Sequence, residues 1–296
     1  MAGDIVRLAA LADVHCNRNS QGLLGPIFTR LADTADILLL AGDLVDYGLP
    51  EEARLLVKEL AVVKIPIIAV LGNHEFESGQ HEEVIRILCD SGIIMLDGDT
   101  YETHGIGFAG VKGFGGGFGR AALQPWGERT IKRFVHEAVD EALKLESALA
   151  KLRTPQRVAV LHYAPIQTTV QGEPPEIFPF LGSSRLEEPL NRYPVAVVFH
   201  GHAHHGTPEG HTSAGVPVYN VALPLMRRTF PDHLFRIVEL PVGPAEDADA
   251  LGALPPGNGA AEAVPHAAPT NGERDSLPTP LGHEEPHGPQ PPARTG

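Results

Sequence analysis

The amino-acid sequence predicts an α/β fold in which helices cover a β-sheet on both faces. Short continuous apolar runs alternate with amphipathic, helix-like segments along most of the 296 residues, and strands buried on both faces read as such runs. Five of the runs end directly at polar clusters that contain Asp, Asn or His. Because sites in open α/β folds form just beyond the carboxyl ends of strands, the sequence also predicts where its functional site lies.

The predicted elements follow one another along the chain. Apolar runs predict strands over residues 5–12, 37–41, 65–71, 93–96, 105–111, 157–161, 195–199, 216–221 and 234–240. Helical spacing of apolar residues predicts helices over residues 24–33, 50–63, 80–91, 130–152 and 184–191. Gly92 and Pro155 stand just beyond two of these helices, where they are typical stop signals.

The composition changes near residues 241–244. Residues 244–296 consist largely of Pro, Gly, Ala, Glu and His, with few large apolar side chains. Such a segment cannot bury enough surface to offset the entropy of ordering. We therefore predict one folded domain over residues 1–243 and a disordered, acidic tail over residues 244–296, and we discount the histidines of the tail as ligands.

The charge and the cysteines restrict the classes of function. The net charge is −14, and the residues before the tail still hold 29 acidic against 21 basic side chains, which disfavours general binding to nucleic acid or anionic membranes. Cys16 and Cys89 match no zinc spacing and form no disulfide framework, which predicts a reducing cytoplasmic setting. The apolar start of the chain reads as a strand rather than a signal peptide, and no run is long enough to span a bilayer.

Five polar clusters carry residue types that bind metal ions. They are Asp13–Val14–His15, Gly42–Asp43 with Asp46, Gly72–Asn73–His74–Glu75, His162, and Gly201–His202–Ala203–His204. Residues two apart in an extended chain project to the same side, so Asp13 and His15 can hold one cation together. His202 and His204 have the same spacing, which His200 shares as an alternative. Mixed Asp, His and Asn ligands favour Mn, Fe or Zn over Ca, which prefers oxygen alone.

This set of ligands suits phosphate chemistry. Asp43 could bridge two cations with its two oxygens, and Asn73 offers a neutral oxygen. Two cations roughly 3.5–4 Å apart clamp a phosphoryl group and activate a water for in-line attack. A protonated imidazole can then supply a proton to the leaving oxygen. His74 is the candidate, because it adjoins Asn73 and because Glu75 could orient its ring.

The ordered clusters resemble the calcineurin-like metallophosphoesterase superfamily. Its pattern is D-x-H, G-D-x-x-D, G-N-H-[DE], a single His and then G-H-x-H, and all five parts occur here in that order between Asp13 and His204. The resemblance covers residues 5 to about 240. It implies a four-layer αββα sandwich with two mixed β-sheets, two divalent metal ions (Mn, Fe or Zn), and hydrolysis of a phosphomonoester or phosphodiester by a hydroxide that bridges the metals.

The resemblance also implies a role for each matching residue. One metal would be bound by Asp13, His15, Asp43 and His204, and the other by Asp43, Asn73, His162 and His202, with Asp43 bridging. His74 would be the catalytic histidine, assisted by Glu75, which stands where many members have Asp. Asp46 would support the site without being a regular ligand.

Two further segments are candidate substrate-binding elements. The glycine-rich stretch 113–119 lies between Lys112 and Arg120, and backbone N–H groups at Gly116 and Gly117 could approach a phosphate. The same stretch equally suits a hinge between the halves of the sandwich. Arg185 could clamp the substrate phosphate, although a surface role beside two glutamates is the simpler interpretation.

The expected substrate is a small phosphorylated metabolite or nucleotide. We expect no stable binding of nucleic acid and no membrane association, and the sequence indicates no particular oligomeric state. The alternative within enzymes is a protein phosphatase or nuclease of the same fold. A non-catalytic scaffold of the family is disfavoured, because such relatives usually lose ligands or the catalytic histidine, and every expected position is filled here.

Overall fold

The computed structural model describes residues 4–242 of the chain. The predicted disordered tail, 244–296, lies outside the described residues. The strands are β1 (Asp4–Leu11), β2 (Ile37–Ala41), β3 (Ile67–Val70), β4 (Ile94–Met95), β5 (Asp99–Thr103), β6 (Ile106–Val111), β7 (Gln156–Leu161), β8 (Val197–His200), β9 (Glu209–His211), β10 (Pro217–Asn220) and β11 (Arg236–Val242). The α-helices are α1 (Gly25–Thr34), α2 (Pro50–Leu60), α3 (His81–Asp90), α4 (Arg129–Lys151), α5 (Phe178–Leu181), α6 (Glu187–Arg192) and α7 (Leu223–Thr229).

The strands form two mixed sheets. The first has the order β11-β1-β2-β3-β4, and the second has the order β5-β6-β7-β8-β10-β9. Neighbouring strands are parallel except for β11 on β1, β5 on β6 and β9 on β10, which are antiparallel. The predicted pair of mixed sheets is therefore confirmed.

Three apolar clusters separate four layers. Strand β2 is buried along its whole length because successive side chains face opposite sides of the sheet: Leu38 and Leu40 pack toward helices α1–α3, whereas Ile37 and Leu39 pack toward the second sheet. A third cluster lies between the second sheet and helices α4 and α6. The order helix, sheet, sheet, helix confirms the predicted αββα sandwich and explains why the central strands read as continuous apolar runs.

The elements that the sequence did not predict are short or polar. Strands β5 and β9 lie at opposite edges of the second sheet, and their sequences, DTYET and EGH, contain no apolar run. Helices α5 and α7, of four and seven residues, were also missed. No helix within residues 4–242 is long and apolar enough to cross a membrane.

The topology brings the five polar clusters to one edge. Strands β1, β2 and β3 are mutually parallel in the first sheet, as are β7 and β8 in the second. Their carboxyl ends lead directly into the segments that begin at Ala12, Gly42, Leu71, His162 and Gly201. The packed sheets thus hold loops from distant parts of the chain against one another.

Candidate metal centre

Seven side chains that the sequence singled out as metal ligands converge at this edge. Nε2 of His204 lies 2.9 Å from Oδ1 of Asp13. Nε2 of His162 lies 3.0 Å from Oδ1 of Asn73 and 3.4 Å from Oδ1 of Asp43. The cluster consists of Asp13, His15, Asp43, Asn73, His162, His202 and His204.

The potential ligand atoms fall into groups small enough to surround one ion each. Atoms of Asp13, His15 and His204 lie within 4.8 Å of one another, and so do atoms of Asp43, His162 and His202. Nε2 of His15 lies 3.8 Å from Oδ2 of Asp43, so Asp43 stands between the two groups. These His and Asp groups could hold metal ions.

The backbone is strained at several residues of the cluster. Five non-glycine residues among 4–242 have positive φ angles, and four of them belong to the cluster: Asp13 at 55°, His15 at 44°, Asp43 at 48° and His202 at 69°. L-residues rarely adopt this region, and such strain tends to collect at functional sites. The side chains of Asp13 and His15 therefore reach one group through left-handed turns, and the extended backbone assumed from the sequence is wrong.

Three glycines create the space in which the cluster packs. A Cβ atom at Gly42 would collide with the ring of His162, one at Gly72 with the carboxylate of Asp43, and one at Gly201 with that of Asp13. Each glycine thus makes room for a side chain from a different loop. The sequence presents these glycines only as turn formers, because the contacts become visible only once the loops are assembled.

The charges and orphaned polar atoms of the cluster fit divalent cations. The Asp13 and Asp43 side chains are 0% and 2% exposed, yet among residues 4–242 no Lys or Arg lies within 4 Å of either carboxylate. Buried carboxylates are normally paired or coordinate metals. Both ring nitrogens of His15 are buried and lack a hydrogen-bond partner, which is rare for buried polar groups. Imidazole and carboxylate donors together suit transition-metal ions.

The pKa values of His162, Asp43 and His202 reflect burial and the charges of neighbouring side chains. Burial alone would lower the pKa of His162, but the neighbouring Asp43 carboxylate outweighs it and raises the pKa to about 9. Burial would raise the pKa of Asp43, and the imidazoles of His162 and His74 instead hold it below its usual range. Burial lowers the pKa of His202 to about 4. A neutral His202 keeps a lone pair for a cation.

Hydrogen bonds distinguish between the neighbouring histidines His200 and His202. The ring nitrogens of His200 lie 2.8 Å from the carbonyl oxygen of Gly201 and 2.8 Å from Oγ1 of Thr169, so neither is free for a cation. In His202, Nε2 lies 3.1 Å from the carbonyl oxygen of Phe180, which accepts its proton and leaves Nδ1 available. The alternative that involved His200 is therefore excluded by its contacts.

His74 and Glu75 are held differently from what the sequence suggested. Glu75 does not contact the His74 ring. Its buried carboxylate accepts the backbone N–H groups of Leu44, Val45 and Gly72 and so fixes the loops after β2 and β3. The His74 ring is oriented by the carbonyl oxygen of Asp46, 2.6 Å from Nδ1, which turns Nε2 toward Asp43 at 3.9 Å.

The candidate substrate residues are engaged elsewhere. The backbone N–H groups of Gly116 and Gly117 donate to the carbonyls of Pro179 and Gly182 at 2.6 and 2.8 Å, so neither is free to bind phosphate. Nη2 of Arg185 donates to the carbonyl of Leu123 at 3.3 Å and lies among α4 and α6 residues rather than in the cluster. The proposed phosphate contacts at Gly116 and Gly117 are wrong, because sequence spacing cannot show which donors are already used. The substrate role of Arg185 stays a prediction.

Two residues near the cluster were missed by the sequence analysis. The Tyr163 ring packs 4.4 Å from that of His202, centroid to centroid. Nη1 of Arg228 donates to the carbonyl of His204 and lies 2.7 Å from Nδ1 of His205. Tyr163 directly follows the predicted ligand His162, so its position in the sequence was a usable signal. Arg228 lies in α7, which carries no motif.

Comparisons with known proteins agree with this architecture. Residues 6–206 match the family model of calcineurin-like phosphoesterases. The structure of phosphopantetheinyl hydrolase from Mycobacterium tuberculosis is similar, with a TM-score of 0.57, 19% identity, and coverage of 78% of this chain and 95% of that one. A protein from Thermus thermophilus gives a TM-score of 0.48 at 15% identity, covering 81% of this chain and all of its own. At 19% identity, the similarity to the phosphopantetheinyl hydrolase shows a shared fold alone. No curated protein sequence matches the chain significantly.

Proposed function

Since this chain belongs to the calcineurin-like phosphoesterase family and is a hydrolase of phosphate esters, we propose that it acts through two divalent cations held by the clustered side chains, with His74 as the proton donor. The observation that carries this proposal is the pair of buried carboxylates, Asp13 and Asp43, which are surrounded by imidazoles and lack a Lys or Arg partner among residues 4–242.

The side chains divide between two cation positions that share one bridge. We assign Asp13, His15, Asp43 and His204 to one position, and Asp43, Asn73, His162 and His202 to the other. Mn, Fe or Zn ions bound there would polarise the phosphoryl oxygens and lower the pKa of a water. The carbonyl of Ala41, 3.0 Å from Nδ1 of His162, orients that ring as partners of metal-binding histidines do.

His74 is placed to complete the reaction. Because the Asp46 carbonyl accepts the proton on Nδ1, Nε2 faces the cleft and can give a proton to the leaving alcohol oxygen. Glu75 acts through the backbone of the loops that carry Asp43 and Asn73, and we assign it a positioning role.

The His74→Ala substitution tests the role of this side chain. We expect metal content to stay unchanged and turnover of alkyl phosphates to fall by about 10²–10⁴-fold, whereas aryl phosphates with good leaving groups lose much less. Turnover should be measured against a series of leaving-group pKa values, with elemental analysis of each sample. His136→Ala, which removes an exposed histidine on α4, is the matched control. Equal losses across the series would remove the proton-donor role.

We further propose a small phosphorylated metabolite or nucleotide as the substrate. The acidic chain gives a nucleic-acid backbone no general attraction, and no membrane association is proposed.

Neither cysteine is paired in a disulfide, in keeping with a cytoplasmic setting. A panel of monoesters, diesters, phosphopeptides and DNA ends, hydrolysed by enzyme loaded with Mn, Fe or Zn, separates this substrate class from a phosphatase of proteins or a nuclease.

A further inference from the structure

A wall of aromatic side chains adjoins the cluster on the side of His202. The ring centroids of Tyr163 and Phe114 lie 5.8 Å apart, those of Phe114 and Phe134 lie 4.9 Å apart, and those of Phe134 and Phe180 lie 6.0 Å apart. Both ends of the series meet His202, through the ring of Tyr163 and the carbonyl of Phe180. We call Tyr163, Phe114, Phe134 and Phe180 the aromatic wall.

The wall is partly open to solvent and continues into further apolar surface. Phe180 is 58% exposed, and Phe114 and Phe134 are half-buried. Ile131 and Ile177 stand three residues before Phe134 and Phe180, respectively, and are each 37% exposed. A group of exposed large apolar side chains beside a polar site is the usual composition of a small-molecule site.

The glycine-rich stretch holds this wall in place. The backbone N–H of Gly116 bonds the carbonyl of Pro179, next to Phe180. A Cβ at Gly115 would lie 3.2 Å from the ring of Phe134 and 3.2 Å from Cα of Phe180, and would also collide with the Pro179 carbonyl. The absence of side chains in this stretch therefore lets two aromatic elements approach each other.

Lys112 supports the wall from the other end. Its ammonium nitrogen lies 4.9 Å from the centroid of the Phe114 ring and 5.3 Å from that of Tyr163, which are favourable cation–π distances. The Lys112 carbonyl also accepts the backbone N–H groups of His162 and Tyr163. The wall and the metal cluster are thus fixed by the same residue.

The opposite flank of the cluster has a different chemistry. Around His15 and His204 stand Asn17, Asp46 and Arg228, whose polar atoms bond to one another or to the histidine segments. An organic group attached to a phosphate in the cleft would have polar groups on this flank and the aromatic wall, beyond His202, on the other. Apolar groups gain by leaving water, at roughly 25 cal/mol per Å² of buried surface.

We propose that the aromatic wall binds the organic group of the substrate, so that this hydrolase prefers phosphate esters carrying an aromatic or other flat apolar group over esters of small polar alcohols. The preference rests on the proposed two-cation site, which would hold the phosphate itself. Phe180, as the most exposed member of the wall, contributes most to the preference.

Pairs of esters with the same type of reacting bond, which differ only in a phenyl group, test whether the aromatic wall binds the organic group. The metal-loaded enzyme should hydrolyse 2-phenylethyl phosphate with a kcat/KM about tenfold above that of ethyl phosphate, and Phe180→Ala should reduce this ratio to about twofold. Calorimetric binding of 3-phenylpropylphosphonate and propylphosphonate, which cannot be hydrolysed, should show the same change. Phe230→Ala, an aromatic residue in the separate cavity beside Arg30, should keep the tenfold ratio.

A second variant acts on the wall without removing an aromatic ring. Gly115→Ala should displace Phe134 and Phe180 and lower the same ratio, while the metal content stays unchanged. Equal kcat/KM values for the two esters, or an undiminished preference in Phe180→Ala, would overturn the wall as a binding element. If neither ester were hydrolysed, the proposed function would fail, and the phosphonate pair would still decide whether the wall binds a phenyl group.

Discussion

The two halves of the cluster are held by the protein in contrasting ways. In the inner half, the side chains of His162 and Asp43 are 0% and 2% exposed, and both ring nitrogens of His162 have partners in Ala41 and Asn73. In the outer half, His15 and His204 are 20% and 34% exposed, and neither ring nitrogen of His15 has a hydrogen-bond partner.

This difference teaches how each half would depend on its cation. The inner half is organised by hydrogen bonds that exist in the protein itself, because Asp43, Asn73 and Ala41 all converge on one imidazole. In the outer half, the Asp13 carboxylate is bonded to the His204 ring and to the backbone N–H of His202, but the His15 ring has no hydrogen-bond partner. We therefore expect the inner cation position to be preformed in the metal-free protein and the outer position to be completed only when its cation binds.

The largest effect is expected from the residue that the two halves share. Asp43→Asn removes the carboxylate that lies within 4 Å of both His15 and His162. Loss of a bridging charge should empty both positions and reduce turnover by more than about 10³-fold, since the cations supply several kcal/mol of stabilisation to the transition state. Elemental analysis and kcat provide the measurements.

Asp46→Asn is the matched control for that substitution. The Asp46 carboxylate contacts His15 and Asn17 and lies 4.0 Å from Nδ1 of His74, whereas the Asp46 carbonyl, which orients His74 at 2.6 Å, is retained in this variant. This variant should keep both metals and most of its turnover. A full metal content in Asp43→Asn would show that the halves share no bridge.

The next effect concerns stability in the absence of metal. His162→Ala would leave the Ala41 carbonyl and the buried Asp43 without their partner, so the free energy of unfolding should fall by about 2–4 kcal/mol. The two ring nitrogens of His15 have no hydrogen-bond partner and only longer contacts to Asp46 and Asp43, so His15→Ala should change this free energy by less than about 1 kcal/mol. Urea unfolding with a chelator present measures both. Equal losses would remove the distinction between the inner and outer halves.

The pattern of apolar residues predicted a sheet covered on both faces and most of the elements, and the family resemblance implied the sandwich. Helix α4 was predicted over 130–152 and spans Arg129–Lys151, and strand β2 has the predicted bounds, because burial gives α4 a helical period of apolar residues and β2 a continuous apolar run. Edge strands such as β5 and β9 carry neither pattern, since they pair along one side only.

The sequence indicated which residues belong to the cluster, but not which hydrogen bonds hold them. The motif residues follow strand ends that topology must bring together, so their meeting could be anticipated. Which donors are already occupied depends on loops that meet only in three dimensions. For that reason Gly116 and Gly117 were misassigned as phosphate donors, and Glu75 was misassigned as the partner of His74.

The smallest effect should come from the rim of the outer half. Nη1 of Arg228 donates to the carbonyl of His204 at 3.3 Å and lies 2.7 Å from Nδ1 of His205, so it steadies the loop that carries one outer ligand. Arg228→Ala should weaken the outer cation by a few-fold, below the roughly 10–100-fold loss typical of partners buried behind a ligand, because Arg228 is exposed.

The neighbouring arginine on α7 supplies the control for this last substitution. Arg227 is also exposed and makes no side-chain hydrogen bond to any residue within 4–242, so Arg227→Ala should leave both affinities unchanged. Calorimetric titration of the metal-free protein with Mn measures the two binding affinities as separate steps where they differ. Weakening confined to the second, weaker step in Arg228→Ala would sharpen the distinction between a preformed inner position and a completed outer one. Equal weakening of both steps would mean that the halves respond as one unit, and the contrast between them would then lie in exposure alone.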